Sequence, residues 1–300
     1  GSLTPTELVK HAKKQGISAM ALTDHNTISG LEEFHAACKT EDVFPIPLGV
    51  EIYASLPLEL IQEGDNRAPD LVMLGKKVCP EPFIEYEKKL LKYFREVFLF
   101  QTLRGLESVG FKFPNESVRQ QYEILERELQ SPPKIFHEFL NFPGNREVFL
   151  KYLQNLGVKK EEIPGREISW MNKYLYAIGR PAYVDRISGF DVADALTLAK
   201  DMNARLFVAH PGGKVFGALR QEIIDYYIKA GIHGIEVRNY FNSVEQNEHF
   251  DKLTRMHGLL RSGGSDYHGT NGASKVGIWD VPENRVPNEI LEELVDGLPN

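Results

Sequence analysis

Two acid–imidazole pairs stand out in the 300 residues: Asp24-His25 within Thr23-Asp-His-Asn-Thr27, and Asp266 with His268 within Gly264-Ser-Asp-Tyr-His-Gly269. Glu51, closing Gly49-Val-Glu51, and His210, in Ala209-His-Pro-Gly212, complete a candidate set. Imidazole nitrogens and carboxylate oxygens are common donors to zinc, manganese and iron. Two or three such ions at one spot would bridge phosphate oxygens and lower the pKa of a bound water. Asp266 and His268 stand two apart, and an extended segment presents such residues on one side. Gly263, Gly264 and Gly269 would let the backbone come close to an ion or a phosphate. Each residue also has an ordinary reading. Asp24 can close a turn or cap a helix, Glu51 can be a buried ion-pair partner, and His210-Pro211 can be a plain turn.

The elements that must position these residues decide between the two readings. Short apolar runs at 18–22, 43–52, 70–74, 205–209, 233–237, 259–263 and 276–279 read as strands. Between them lie helical patterns at 5–15, 28–39, 190–202, 219–230, 244–257 and 287–298. The first helix carries its own start signal: Thr4 as cap, Pro5 at the first helical position and Glu7 closing a capping box. Such alternation predicts an α/β fold with parallel strands. Asp24 and His25 follow the strand at 18–22, Glu51 ends the next, His210 follows 205–209, and Asp266 and His268 follow 259–263. Loops after parallel strands line one face, so residues far apart in sequence are expected to converge there.

The rhythm breaks between 80 and 186. Helical patterns at 83–109, 117–129, 132–140, 146–156 and 167–178 follow one another, punctuated by Pro and Gly. The expected plan is therefore a core of residues 1–79 and 187–300 interrupted by a mainly helical insertion, 80–186. That insertion either closes over a substrate as a cap or only packs. Four cations are candidates for a substrate phosphate: Arg146 near a helix start, where free amides favour anions; Arg180, where the insertion rejoins the core; Lys214, after the His210 loop; and Arg238, after the strand at 233–237.

Composition narrows the class. The formal net charge is −7, which argues against a broad basic surface for duplex DNA. A negative chain acting on a phosphate ester needs local cations, and bound metal ions supply them. Two cysteines, Cys38 and Cys79, give no disulfide framework and suggest a reducing, cytoplasmic setting. No apolar run is long enough to span a bilayer. Phosphate-binding GxxxxGK[ST] loops, strand-linked GxGxxG and the Gly-x-Ser-x-Gly elbow are all missing from the sequence.

The segments Gly1-Ser-Leu-Thr-Pro5, Ala21-Leu-Thr-Asp-His-Asn-Thr-Ile-Ser-Gly30, Gly49-Val-Glu51, Gly179-Arg-Pro-Ala-Tyr-Val184, Ala209-His-Pro-Gly212, Gly234-Ile-Glu-Val237 and Gly263-Gly-Ser-Asp-Tyr-His-Gly269 together resemble the PHP (polymerase and histidinol phosphatase) superfamily. The likeness is greatest to its insertion-containing phosphoesterases of nucleotides and RNA ends. The resemblance implies a distorted (β/α)7 TIM-like barrel holding up to three Mn, Zn or Fe ions. It implies His25, Glu51, His210, Asp266 and His268 as ligands, with Asp24 just behind them; Asp24 and Asp266 are the candidate catalytic carboxylates. It also implies a small phosphorylated substrate, a nucleotide or short RNA, with no membrane and no DNA duplex as partner. Two departures accompany it. Such proteins open with a strand ending in His-x-His and then Ser-Asp-Gly, and this sequence starts at the equivalent of that glycine. The N-terminal strand, with two histidines and an aspartate, is therefore expected to be missing. Val72 stands where relatives carry a further histidine. Three activities are consistent with this pattern: a metal-dependent phosphoesterase, a non-catalytic phosphate-binding protein with a depleted site, and an amidohydrolase-like enzyme on a similar barrel.

Overall fold

The computed structural model describes residues 2–62, 68–124, 132–177, 179–184, 189–213, 218–269 and 285–300. The chain divides into two compact units: Gly1–Ile61, Asp65–Tyr86 and Phe190–Asn300 form one, and Gln62–Gly64 with Glu87–Gly189 form the other.

In the first unit, α1 (Pro5–Lys14) begins at the expected capping box: Thr4 Oγ1 accepts from Glu7 N, and the Glu7 carboxylate accepts from Thr4 N. Strand β1 (Ala19–Met20) leads into α2 (Leu31–Glu41), then β2 (Phe44–Pro45), β3 (Leu48–Tyr53) and β4 (Asp70–Gly75). β1 pairs in parallel with β2. An isolated parallel bridge between His25 and Glu51 continues that pairing into β3. Gly49 makes the join possible, because a Cβ there would lie 2.3 Å from the Leu22 carbonyl oxygen.

One expectation fails at β4. It runs antiparallel to β3, with Glu51 opposite Val72 and Tyr53 opposite Asp70. The reason is the connection. A parallel return needs a crossover, usually a helix, and the described residues between β3 and β4 hold only a short 3-10 turn, Leu58–Leu60.

The second unit is helical among its described residues. It follows α3 (Pro80–Tyr93) through a wide turn at Phe94–Phe98 to α4 (Leu99–Ser108), α5 (Asn115–Ile124), α6 (Pro132–Leu140), α7 (Asn145–Asn155) and α8 (Glu167–Met171). Phe94, Phe98, Phe111, Phe136, Phe139, Phe149 and Leu153 are its buried centre. Asn145, also buried, ties this core together: its amide oxygen accepts from Lys112 N, and its nitrogen donates to the carbonyls of Lys112 and Phe139.

Back in the first unit, α9 (Val192–Asp201), β5 (Arg205–Val208), α10 (Gln221–Ala230), β6 (Gly234–Asn239), α11 (Val244–His257), β7 (Leu260–Gly264) and α12 (Asn288–Gly297) restore the alternation. β5, β6 and β7 are parallel, and β5 lies against β4. The strands thus form a two-stranded and a five-stranded sheet joined at the His25–Glu51 bridge, and no closed ring forms among the described residues. The strand expected at 276–279 lies outside the described residues. The core that backs the site is apolar: Ile46, Val72, Leu74, Phe207, Ala209, Leu294 and Leu298 pack together.

Candidate metal centre

Glu51 is the hub. It is buried, at 5% exposure, one residue before Ile52 on β3. Its Oε2 lies 3.6 Å from His25 Nε2 and its Oε1 lies 3.3 Å from His210 Nε2. His210 Nε2 also lies 3.2 Å from Asp70 Oδ2. His25, Glu51 and Asp70 can each offer a donor atom within 4.8 Å of the others. Asp266 and His268 are close neighbours: His268 Nδ1 is 2.7 Å from the Asp266 carbonyl and 3.3 Å from Asp266 Oδ1. The His268 ring sits 6.3 Å from that of His25, centroid to centroid. Asp24, His25, Glu51, His210, Asp266 and His268 all line one cavity of about 680 Å³. The structure therefore brings together all six residues that the sequence singled out for the metal chemistry.

Backbone geometry marks the same place. Asn26, His210 and Asp266 have φ of 52°, 29° and 49°, the left-handed region that ordinary side chains rarely adopt. Such strain persists only where surroundings enforce it, and it gathers at functional sites. At His210 the enforcing partner is Glu236, whose Oε2 accepts from His210 N at 2.6 Å. Gly264 leaves room for that carboxylate, since a Cβ there would lie 2.4 Å from Glu236 Oε1. The glycine expected to admit a metal or a phosphate thus admits a side chain.

The electrostatics are those of a site with excess negative charge. Burial pushes Glu236 up to about 7 against the pull of His210, and the Glu51 and Asp266 charges add to the rise. Burial alone would lower His210, yet hydrogen bonds to Asp70 and Glu51 outweigh it and lift the imidazole to about 11. Tyr53 stacks on His25 at 5.0 Å, and its hydroxyl is held well above its usual value by burial, with Asp70 and Glu51 adding to the effect.

Three site residues were missed in the sequence: Asp70, Tyr53 and Glu236. Asp70 opens an antiparallel strand, so its beginning lies where the parallel strands end. Glu236 belongs to a quoted segment but is masked by the apolar run around it. Tyr53, next to the end of β3, looks like an ordinary strand aromatic.

The cations read from the sequence are placed differently. Arg238 follows a register shift in β6 and donates to Asp251 Oδ2 at 2.7 Å and to the carbonyls of Val237 and Asn247. Arg146 lies 3.5 Å from Glu167 in the helical unit, where Arg180 sits 5.5 Å over the Tyr174 ring. Lys214 lies outside the described residues. Cys38 is buried, and burial pushes its thiol up to about 11, while Cys79 is partly exposed; neither belongs to the donor group of His25, Glu51 and Asp70.

The residues present fit divalent ions. The donor set is mixed imidazole and carboxylate, as Zn, Mn or Fe require. His25 Nδ1 is buried with no hydrogen-bond partner among the described residues, and it belongs to the cluster. Carboxylates gathered as closely as Glu51 and Asp70 favour a cation between them, a place that the His210 imidazole or a divalent ion can fill.

Comparison with known proteins agrees with this chemistry. Residues 1–142 match the PHP domain family. The chain is 27% identical over 272 residues to a 3′,5′-nucleoside bisphosphate phosphatase of Chromobacterium violaceum, covering 89% of this chain and 83% of that one. It is 24% identical over 273 residues to a 5′-3′ exoribonuclease of Haemophilus influenzae, covering 89% and 85%. A Bifidobacterium adolescentis structure assigned as a metal-dependent phosphoesterase shares its fold with a TM-score of 0.61 at 21% identity, covering 99% of this chain and 91% of that one. A C. violaceum amidohydrolase structure, solved with sulfate and no metal, gives a TM-score of 0.58 at 22% identity, covering 98% and 92%. None of the described helices is long and apolar enough to cross a membrane.

Proposed function

We propose that this protein hydrolyses phosphomonoesters on small nucleotides, with divalent cations held by His25, Glu51, His210, Asp266 and His268, on a barrel of the distorted (β/α)7 type. The observation that carries the reading is the convergence of His25 and His210 on the buried Glu51 carboxylate, at 3.6 and 3.3 Å, inside a cavity that Asp266 and His268 also line. The phosphatase and exoribonuclease relatives support a nucleotide as the substrate class.

When bound, the ions supply charge for the phosphate oxygens and an activated water. The chain's own residues do the rest. Glu236 fixes His210 by accepting from its backbone amide, and Glu51 stands beside its ring to share the ion. Tyr53 stacks on the His25 ring and restricts its orientation. Asp24 and Asp266, both on the cavity wall, are the carboxylates that would take a proton from the attacking water in this reading. Arg238 and Arg146 have carboxylate partners of their own, so in this reading bound ions, with Arg285 on the cavity wall, supply the positive charge offered to substrate.

The test is inorganic phosphate release from a nucleoside 3′,5′-bisphosphate and a short 5′-phosphorylated RNA, and amine release from an amide substrate, each with Mn²⁺ and with chelator. Metal-dependent release from the phosphate esters, lost in Glu51→Gln, is expected. Amide cleavage without phosphate release would contradict it.

A further inference from the structure

β4 contributes to the site from an unexpected position. Its two residues nearest the cluster, Asp70 and Val72, share one strand face. Val72 cannot ligate; its side chain packs with Ile46, Leu74, Phe207 and Ala209 in the apolar core. Asp70 lies about 6.8 Å further along the strand, at its start. There Ala209 N donates to the Asp70 carbonyl, which sets that residue level with His210. The Asp70 carboxylate then reaches His210 Nε2 at 3.2 Å, the same nitrogen that Glu51 approaches at 3.3 Å. A single N–H is thus shared between two carboxylates. A divalent ion would satisfy both more fully, and His25, Glu51 and Asp70 already present donor atoms within 4.8 Å of one another.

We infer that Asp70 is a metal ligand of this chain, taking from the start of β4 the part that Val72 cannot play. The inference rests on the metal-dependent reading above. It adds that the site is not depleted on this strand but shifted by two residues, with oxygen replacing nitrogen. A carboxylate is a harder donor than imidazole, so the position biases the site towards Mn²⁺ or Fe²⁺ over Zn²⁺.

The test reads metal rather than turnover. Crystals of the full chain grown with Mn²⁺, measured for anomalous scattering, should show a peak about 2.2 Å from an Asp70 carboxylate oxygen. In solution, Asp70→Asn should weaken Mn²⁺ binding by about 100-fold or more. Adding Val72→His to that variant should restore binding and move its preference towards Zn²⁺. A peak on Glu51, His25 and His210 but more than about 3 Å from Asp70 would overturn the inference while leaving the proposed function intact. Unchanged Mn²⁺ affinity in a folded Asp70→Asn protein would do the same. No metal peak and no Mn²⁺ binding in the unsubstituted chain would overturn both.

Discussion

Asn26 shows how much a single residue carries without entering the chemistry. It is buried, at 1% exposure, with φ of 52°. Its N–H donates to the Glu51 carbonyl at 2.7 Å, and its side-chain oxygen accepts from Tyr86 Oη at 2.9 Å. It therefore fixes His25 beside Glu51 from the adjacent position. Asn26→Ala loses the side-chain bond and keeps the left-handed backbone, so it should cost about 1–3 kcal/mol in urea unfolding. Asn26→Gly relieves the backbone and should recover part of that loss. Equal stability of Asn26→Ala and the unsubstituted chain would show that the clamp contributes nothing. At this scale the residues that line the cavity were legible: His25, Glu51, His210, Asp266 and His268 follow or end apolar runs. Asn26 was not, because a left-handed residue inside Thr-Asp-His-Asn-Thr looks like any polar turn.

Elements decide where those residues meet. β1 and β3 approach so closely at Gly49 that Gly49→Ala would place a methyl on the Leu22 carbonyl. Overpacking of this kind costs about 1–3 kcal/mol. Because the contact is to backbone, it should also loosen the His25–Glu51 bridge and weaken metal binding. Denaturation and metal titration of Gly49→Ala check both, and a stable variant with unaltered binding would contradict this placement of β1. The helices and most strands were readable from periodicity, and the capping box at Thr4–Glu7 formed as written in the sequence. Strand direction was not. Periodicity is the same for both directions, and the reading assumed that β4 finished at the site when it starts there. That one reversal hid Asp70, while Val72 drew attention only as the position where relatives carry a histidine.

At the scale of the whole molecule, the first unit gathers Asp24, Glu51, Asp70, Glu236 and Asp266 around or beside one cavity. Chains that bind an ion only when folded gain stability from it, about 2.7 kcal/mol at a free concentration 100 times Kd. Mn²⁺ should therefore raise the melting temperature by several degrees, and chelator should reverse the rise. A melting temperature indifferent to both would count against a built metal site. The net charge of −7 announced the need for cations but not their location. The break in the strand–helix rhythm was legible, while the helical unit's bounds, Gln62–Gly64 and Glu87–Gly189, were not. Its task was not, because an aromatic core such as Phe94, Phe98, Phe136 and Phe149 gives the same pattern whatever the surface around it does.

The most direct measurement titrates Mn²⁺ into chelator-treated full-length chain while recording bound metal and phosphate release from a nucleoside 3′,5′-bisphosphate. Release should rise in step with metal bound, and both should be lost together in Glu51→Gln. Phosphate release that persists in chelator, or metal that binds fully without any release, would contradict the account.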